Sequence, residues 1–143
     1  MLRNAQRQVR LDLRRLQKTA QTMLAAIGKP KGTLSILLTD DQEMAKLHER
    51  WMGEPRPTDV LSFAMGSPQV PRGAPRHPWP PLLLGDVAIS VETAARRRPR
   101  DVQAEVTRYL IHGLLHLVGY THARKRDKDR MNREAERLWR SLN

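Results

Sequence analysis

Three of the five histidines lie in one eleven-residue stretch, His112-Gly113-Leu114-Leu115-His116-Leu117-Val118-Gly119-Tyr120-Thr121-His122. On a helix, His112 and His116 stack on one face, about 6 Å apart along the axis. Gly119 supplies a helix stop, because it takes the left-handed conformation at C′ without a Cβ penalty. The chain can turn there and bring His122 back over the same face. Three neutral imidazoles on one side of an ion leave a fourth position open, which is the arrangement of a catalytic zinc site rather than a closed structural one. The competing reading is a pair of buried, hydrogen-bonded histidines or an ordinary surface pair. Burying imidazoles among leucines is costly unless their nitrogens are satisfied.

Zinc on His112, His116 and His122 would lower the pKa of its water toward neutrality and polarise a substrate oxygen. Gly113 stands where an H-E-x-x-H peptidase carries its general-base Glu, so proteolysis lacks its central residue. The formal net charge is +11, from 26 Lys and Arg against 15 Asp and Glu. That balance points to a polyanionic partner, nucleic acid ahead of an acidic membrane surface, and makes a phosphodiester the natural electrophile. A solvated Arg-rich face is the alternative. Hydrolysis also requires a proton for the leaving oxygen, and no residue pattern names its donor.

The 143 residues fit a single domain, 1–143, with a modest core. There is no cysteine, so disulfides and thiolate ligands are excluded. No apolar run reaches transmembrane length, and the basic N-terminus lacks the apolar core of a secretory signal, so a cytoplasmic protein is expected.

The elements that must hold the histidines read as follows. Residues 8–13 alternate weakly and form either a short strand or the start of the first helix. Leu13, Leu16, Ala20, Met23, Leu24 and Ile27 make one apolar stripe of a helix that Gly28 ends, with Arg14, Arg15 and Lys18 on the wet side. Residues 33–39 (TLSILLT) read as a strand at or near the centre of a sheet. Thr39 or Asp40 caps a helix running to about Trp51, with Glu43 placed for a capping box if Asp40 is the cap. Met44, Leu47 and His48 share one side of it, His48 as a structural residue or cleft wall. Residues 53–57 are a proline-stiffened loop. Residues 58–64 form a second strand with Thr58 and Asp59 at its mouth, either as a turn or as the floor of a cleft. Residues 66–81, with His77, read as a loop over or beside the site. Residues 82–90 form a third strand, bulged or closely approached at Gly85. Ser90 caps a helix that ends in Arg96, Arg97, Arg98 and Arg100, a solvated helix end or a phosphate contact. Asp101 opens a buried helix carrying His112 and His116. Residues 121–129 read as a polar connector before a last helix with Met131, Ala135, Leu138, Trp139 and Leu142.

HGLLHLVGYTH closely resembles the H-G-x-L-H-L-x-G-Y-D-H motif of the YbeY-type endoribonucleases, the bacterial rRNA maturation factors. PTDVLSFAMG resembles that family's P-T-D-V-L-S-F strand, and LLGDVAIS its L-G-D-I-x-I strand. The resemblance covers most of the chain from Thr33 onward. It implies an α+β fold: a four-stranded, mainly parallel mixed sheet packed with about five helices, the histidine helix central. It also implies single-strand-specific RNA hydrolysis with one zinc ion on His112, His116 and His122. The family acts in 16S rRNA 3′-end maturation and ribosome quality control, with the small ribosomal subunit as partner. Substrate contacts are then expected from Arg50, Arg56, Thr58, Asp59, Arg96, Arg97 and Arg98.

Two positions depart from the family pattern. Thr121 replaces an Asp before the last His, and Met52 replaces an Arg before the Thr-Asp strand. Metal binding is expected to survive the first change, whereas Met52 cannot pair with phosphate. Three readings follow: an active zinc endoribonuclease; a zinc-stabilised RNA- or ribosome-binding factor with little or no hydrolysis; and a different metal hydrolase, for which only the histidine spacing argues.

Overall fold

The computed structural model describes residues 2–52, 59–64 and 83–142. Its elements are β1 (Leu2–Asn4), α1 (Leu13–Ala26), β2 (Thr33–Thr39), α2 (Asp41–Met52), β3 (Val60–Ala64), β4 (Leu83–Ser90), α3 (Val91–Arg97), α4 (Val102–Leu117) and α5 (Lys125–Ser141). The strands form one sheet in the order β1-β2-β4-β3. β1 and β4 both run parallel to β2, and β3 runs antiparallel to β4. The expected mainly parallel mixed sheet and the internal position of β2 are both observed.

Alternation along the strands divides the sheet into two faces. Leu34, Ile36 and Leu38 of β2 and Val87 and Ile89 of β4 enter the main core beneath α1, α4 and α5. Ala88 and Leu61 point the other way, against Met44 of α2. α4 is the element this arrangement holds most firmly: Val106, Leu110, Ile111, Leu114 and Leu115 are all at most 2% exposed. Its apolar cover on several sides matches a helix packed between sheet and neighbouring helices. Gly113 is where it touches down. A Cβ built there would lie 2.7 Å from Val87 Cγ1 and 3.3 Å from Val60 Cγ2.

The helix starts follow their caps. Asp12 accepts from the Arg15 N–H at 3.0 Å, Ser90 from the Thr93 N–H at 3.2 Å and Asp101 from the Ala104 N–H at 3.1 Å. Asp40 rather than Thr39 caps α2, accepting from the Glu43 N–H at 2.9 Å. The register between β2 and β4 slips by one residue at Gly85, the bulge its position in the strand suggested.

Two expectations are corrected. The first strand is β1, upstream of the alternating residues, and the run from Gln8 to Asp12 is neither strand nor helix. There the Gln6 side chain donates to the Val9 carbonyl at 2.8 Å and accepts from its N–H at 2.9 Å, so the backbone of Val9 is satisfied without a strand partner. Finally, α5 begins at Lys125 instead of after Asp129. Its first turns are wholly polar, so they carry no apolar periodicity, and Arg124 caps without a side-chain bond. Residues 53–57, the loop 66–81 with His77, and the site candidates Arg56 and Thr58 lie outside the described residues. Among the described residues no helix is long and apolar enough to cross a membrane.

Candidate functional site

α4 ends in a complete Schellman motif. The Gly119 N–H donates to the His116 carbonyl at 3.1 Å, the Tyr120 N–H to the Leu115 carbonyl at 3.0 Å, and Gly119 sits at φ +105°. This turn has a chemical consequence. It lays the Tyr120 carbonyl 3.0 Å from Nδ1 of His116. A carbonyl can only accept, so Nδ1 carries the proton and Nε2 of His116 is left with a free lone pair. The same turn reverses the chain. It brings Nε2 of His122 to 3.1 Å from Nε2 of His116, with ring centroids 4.8 Å apart. Two imidazole nitrogens on one tetrahedral zinc stand about 3.3 Å apart, given Zn–N bonds of 2.0–2.1 Å. The pair therefore has close to chelating separation.

His112 lies one turn before His116 on α4 and is half-buried. Burial holds its pKa below the ordinary histidine value, and the charges of His122 and His116 push the same way while Asp59 opposes them. Burial also lowers His116, against the bond to Tyr120. Both rings are thus held neutral near pH 7, the state in which imidazole is a ligand. Among the described residues no three ligating side chains are drawn together tightly enough to enclose an ion. What converges is the His116–His122 pair with His112 as its electrostatic neighbour, and a donor set of three imidazoles is one that suits zinc.

Thr121 holds the connector. Its hydroxyl accepts from the Ala123 N–H at 2.8 Å, a local turn bond that a carboxylate there could equally make. The change from Asp leaves that anchoring function in place.

The rim beside His112 is built from three elements. Val60 packs on Gly113, which sets Asp59 at the mouth of β3 near the histidine face. Asp59 Oδ1 accepts from the Val60 N–H at 2.7 Å, and Oδ2 accepts from Arg97 Nη1 at 2.7 Å. The same Nη1 donates to the Tyr109 hydroxyl at 3.2 Å. Burial pushes the Tyr109 phenol up to about 12, with the charge of Glu105 adding to it and the Arg97 bond opposing. Tyr109, three residues before His112 on α4, was not singled out from the sequence. Its place on the histidine side of α4 was the signal available.

The other expected contacts separate. Arg96 is committed to Asp41, donating to Oδ2 at 2.5 Å. Asp41 also accepts from Ser90 Oγ at 2.5 Å and Thr93 Oγ1 at 2.7 Å. Burial raises the Asp41 pKa, but these bonds outweigh it and the net direction is down. This cluster latches the start of α2 to α3. Arg98 is exposed at the end of α3, and Arg50 is exposed in the last turn of α2. Asp59 acts on His112 directly, and Arg97 joins the rim through its bonds to Asp59 and Tyr109.

A family model described as "Endoribonuclease YbeY" matches residues 1–143. A protein of that description from Anaeromyxobacter sp. is 46% identical over 131 residues, covering 90% of this chain and 64% of the relative. Another, from Anaeromyxobacter dehalogenans, is 45% identical, covering 86% and 61%. The chain thus spans a little under two thirds of the length of these two relatives. One from Thermobifida fusca is 46% identical, covering 78% of this chain and 74% of its own. The solution structure of TM1509 from Thermotoga maritima superposes with a TM-score of 0.55 at 22% identity, over 97% of this chain and 89% of that one, which shows a shared fold.

Proposed function

The chain belongs to the YbeY endoribonuclease family, and we propose that it is a cytoplasmic, zinc-dependent, single-strand-specific endoribonuclease. Its substrate would be ribosomal RNA, cut in 16S rRNA 3′-end maturation and ribosome quality control with the small ribosomal subunit as partner. The observation that carries the reading is the His116–His122 pair, Nε2 to Nε2 at 3.1 Å, with His116 oriented by the Tyr120 carbonyl.

His112, His116 and His122 would hold the ion. Zinc in such a site supplies Lewis-acid polarisation of a phosphoryl oxygen and a nucleophile at neutral pH. The protein's own part is orientation and charge. Tyr120 fixes the His116 tautomer, and burial keeps His112 and His116 unprotonated. Arg97 stands on the rim with its guanidinium held by Asp59 and Tyr109. A guanidinium so fixed presents its remaining N–H donors to a phosphate at little entropic cost. The net charge of +11 draws a polyanion to this rim.

The test is cleavage of a structured rRNA fragment by metal-replete protein. Wild type should cut single-stranded segments, and His112→Ala should lose cleavage by at least about 100-fold while retaining RNA binding. RNA binding with no cleavage under any metal condition would sink the enzyme reading and leave a binding factor, the outcome Met52 would favour.

A further inference from the structure

The last helix segregates its arginines. Arg126, Arg130, Arg133, Arg137 and Arg140 follow one another at intervals of four, three, four and three residues along α5. At 3.6 residues per turn that spacing confines all five to a sector of roughly 80°. All five are exposed, on the side turned away from buried Met131 and Leu138. No carboxylate of α5 falls inside the sector; Asp129 and Glu136 flank one edge and Glu134 the other. The far half of the row is partly neutralised. Arg137 pairs with Glu134 and donates to the Ala26 carbonyl at 3.0 Å, and Arg140 lies 3.7 Å from Glu136. The near half is not. Among the described residues the side chains of Arg126, Arg130 and Arg133 make no ion pair.

Placement gives the row a direction. It starts four residues after His122, and Arg130 lines an open pocket with Gly119, Tyr120 and Thr121, the turn that carries His122 into the site, and with Asp127, which makes no ion pair with it. The row therefore runs outward from the histidines along the helix, with axial steps of about 4.5–6 Å over about 21 Å. Three unpaired arginines facing solvent in register cost electrostatic self-repulsion that burial of Met131 and Leu138 does not require. A chain of phosphates removes that repulsion.

We propose that the Arg126–Arg130–Arg133 face of α5 is a second RNA-docking surface, which grips the phosphate backbone of the RNA flanking the bond held at the histidines. The contact is to phosphates and not to bases, because it is a row of positive charge with no aromatic stacking partner in its sector. It rests on the reading of the substrate as RNA, but not on turnover.

The experiment uses the full chain with metal chelated, so that binding is read without cleavage. Anisotropy of two labelled single-stranded RNAs is followed across salt concentration: one just long enough to cover the histidine site and one extended by several nucleotides. The triple variant Arg126→Gln, Arg130→Gln, Arg133→Gln should weaken binding of the long RNA on the order of tenfold and lower its log K against log salt slope by about 2, from three lost contacts at about 0.7 each. Binding of the short RNA should stay within about twofold, and the circular dichroism melt should not fall, since the variant relieves like-charge repulsion. The corresponding triple Lys variant should restore long-RNA binding, because phosphate needs the charge here more than the fork. Unchanged long-RNA affinity, or an equal loss for both lengths, overturns the proposal, as does wild type that gains nothing from the longer RNA. Wild type that binds as expected but never cleaves when metal is returned removes the enzyme reading and leaves the docking surface standing.

Discussion

Gly113 shows at the scale of one residue how a packing demand settles a chemical question. Its Cα faces Val87 and Val60, and a Cβ would enter the van der Waals shell of Val87 Cγ1 at 2.7 Å. The Glu that a zinc peptidase carries at this place would have to point into the sheet. Glycine in a helix costs roughly 0.5–1 kcal/mol relative to Ala, so Ala would help if space allowed. Overpacking costs about 1–3 kcal/mol, and valine is stiff at χ1, so the clash wins. Gly113→Ala should therefore destabilise the fold by about 1–2 kcal/mol, read as a lower midpoint in urea with an unchanged slope. A raised midpoint would show that α4 does not seat on β4 as described. Glycine at this place thus has a steric reason the sequence could not supply, since which side of α4 meets the sheet is a tertiary fact.

At the scale of elements, what was legible is what local chemistry encodes. Asp40, Ser90 and Asp101 announce their helices because a short polar side chain before an apolar-periodic run satisfies orphan N–H groups. Gly119 announces the end of α4. The elements missed carry no such signal. β1 is three residues long and gains its place only by pairing with β2, and the first turns of α5 are polar throughout. The His116–Tyr120 bond was one step beyond the sequence: the stop at Gly119 was readable, but the carbonyl it delivers to Nδ1 required the full geometry of the turn. That step carries a prediction. Gly119 holds φ +105°, so Gly119→Ala should cost about 1–2 kcal/mol and displace the Tyr120 carbonyl. Zinc affinity should then fall by about 10–100-fold, as for loss of a bond that orients a ligating histidine. Gly119→Asn, which tolerates the left-handed region, should lose less on both measures. Equal zinc affinity in wild type and Gly119→Ala would separate the turn from the site.

At the scale of the molecule, the chain carries a formal net charge of +11. In the sequence the densest basic run, Arg96 to Arg100, reads as a single candidate contact. The fold separates it: Arg96 latches α2 through Asp41, Arg97 joins the rim through Asp59 and Tyr109, and Arg98 faces solvent. The α5 row was not singled out, because its arginines are interleaved with acids in the sequence and sort only when wound on a helix. Everything converges on whether His112, His116 and His122 act together on one ion. The direct measurement is zinc titration of the metal-stripped full chain at neutral pH, beside His112→Ala, His116→Ala and His122→Ala. Wild type should bind about one zinc per chain, and each variant should bind it at least about 100-fold more weakly while keeping its fold. Wild type that binds no zinc, or variants that bind it as well as wild type does, would contradict the metal centre.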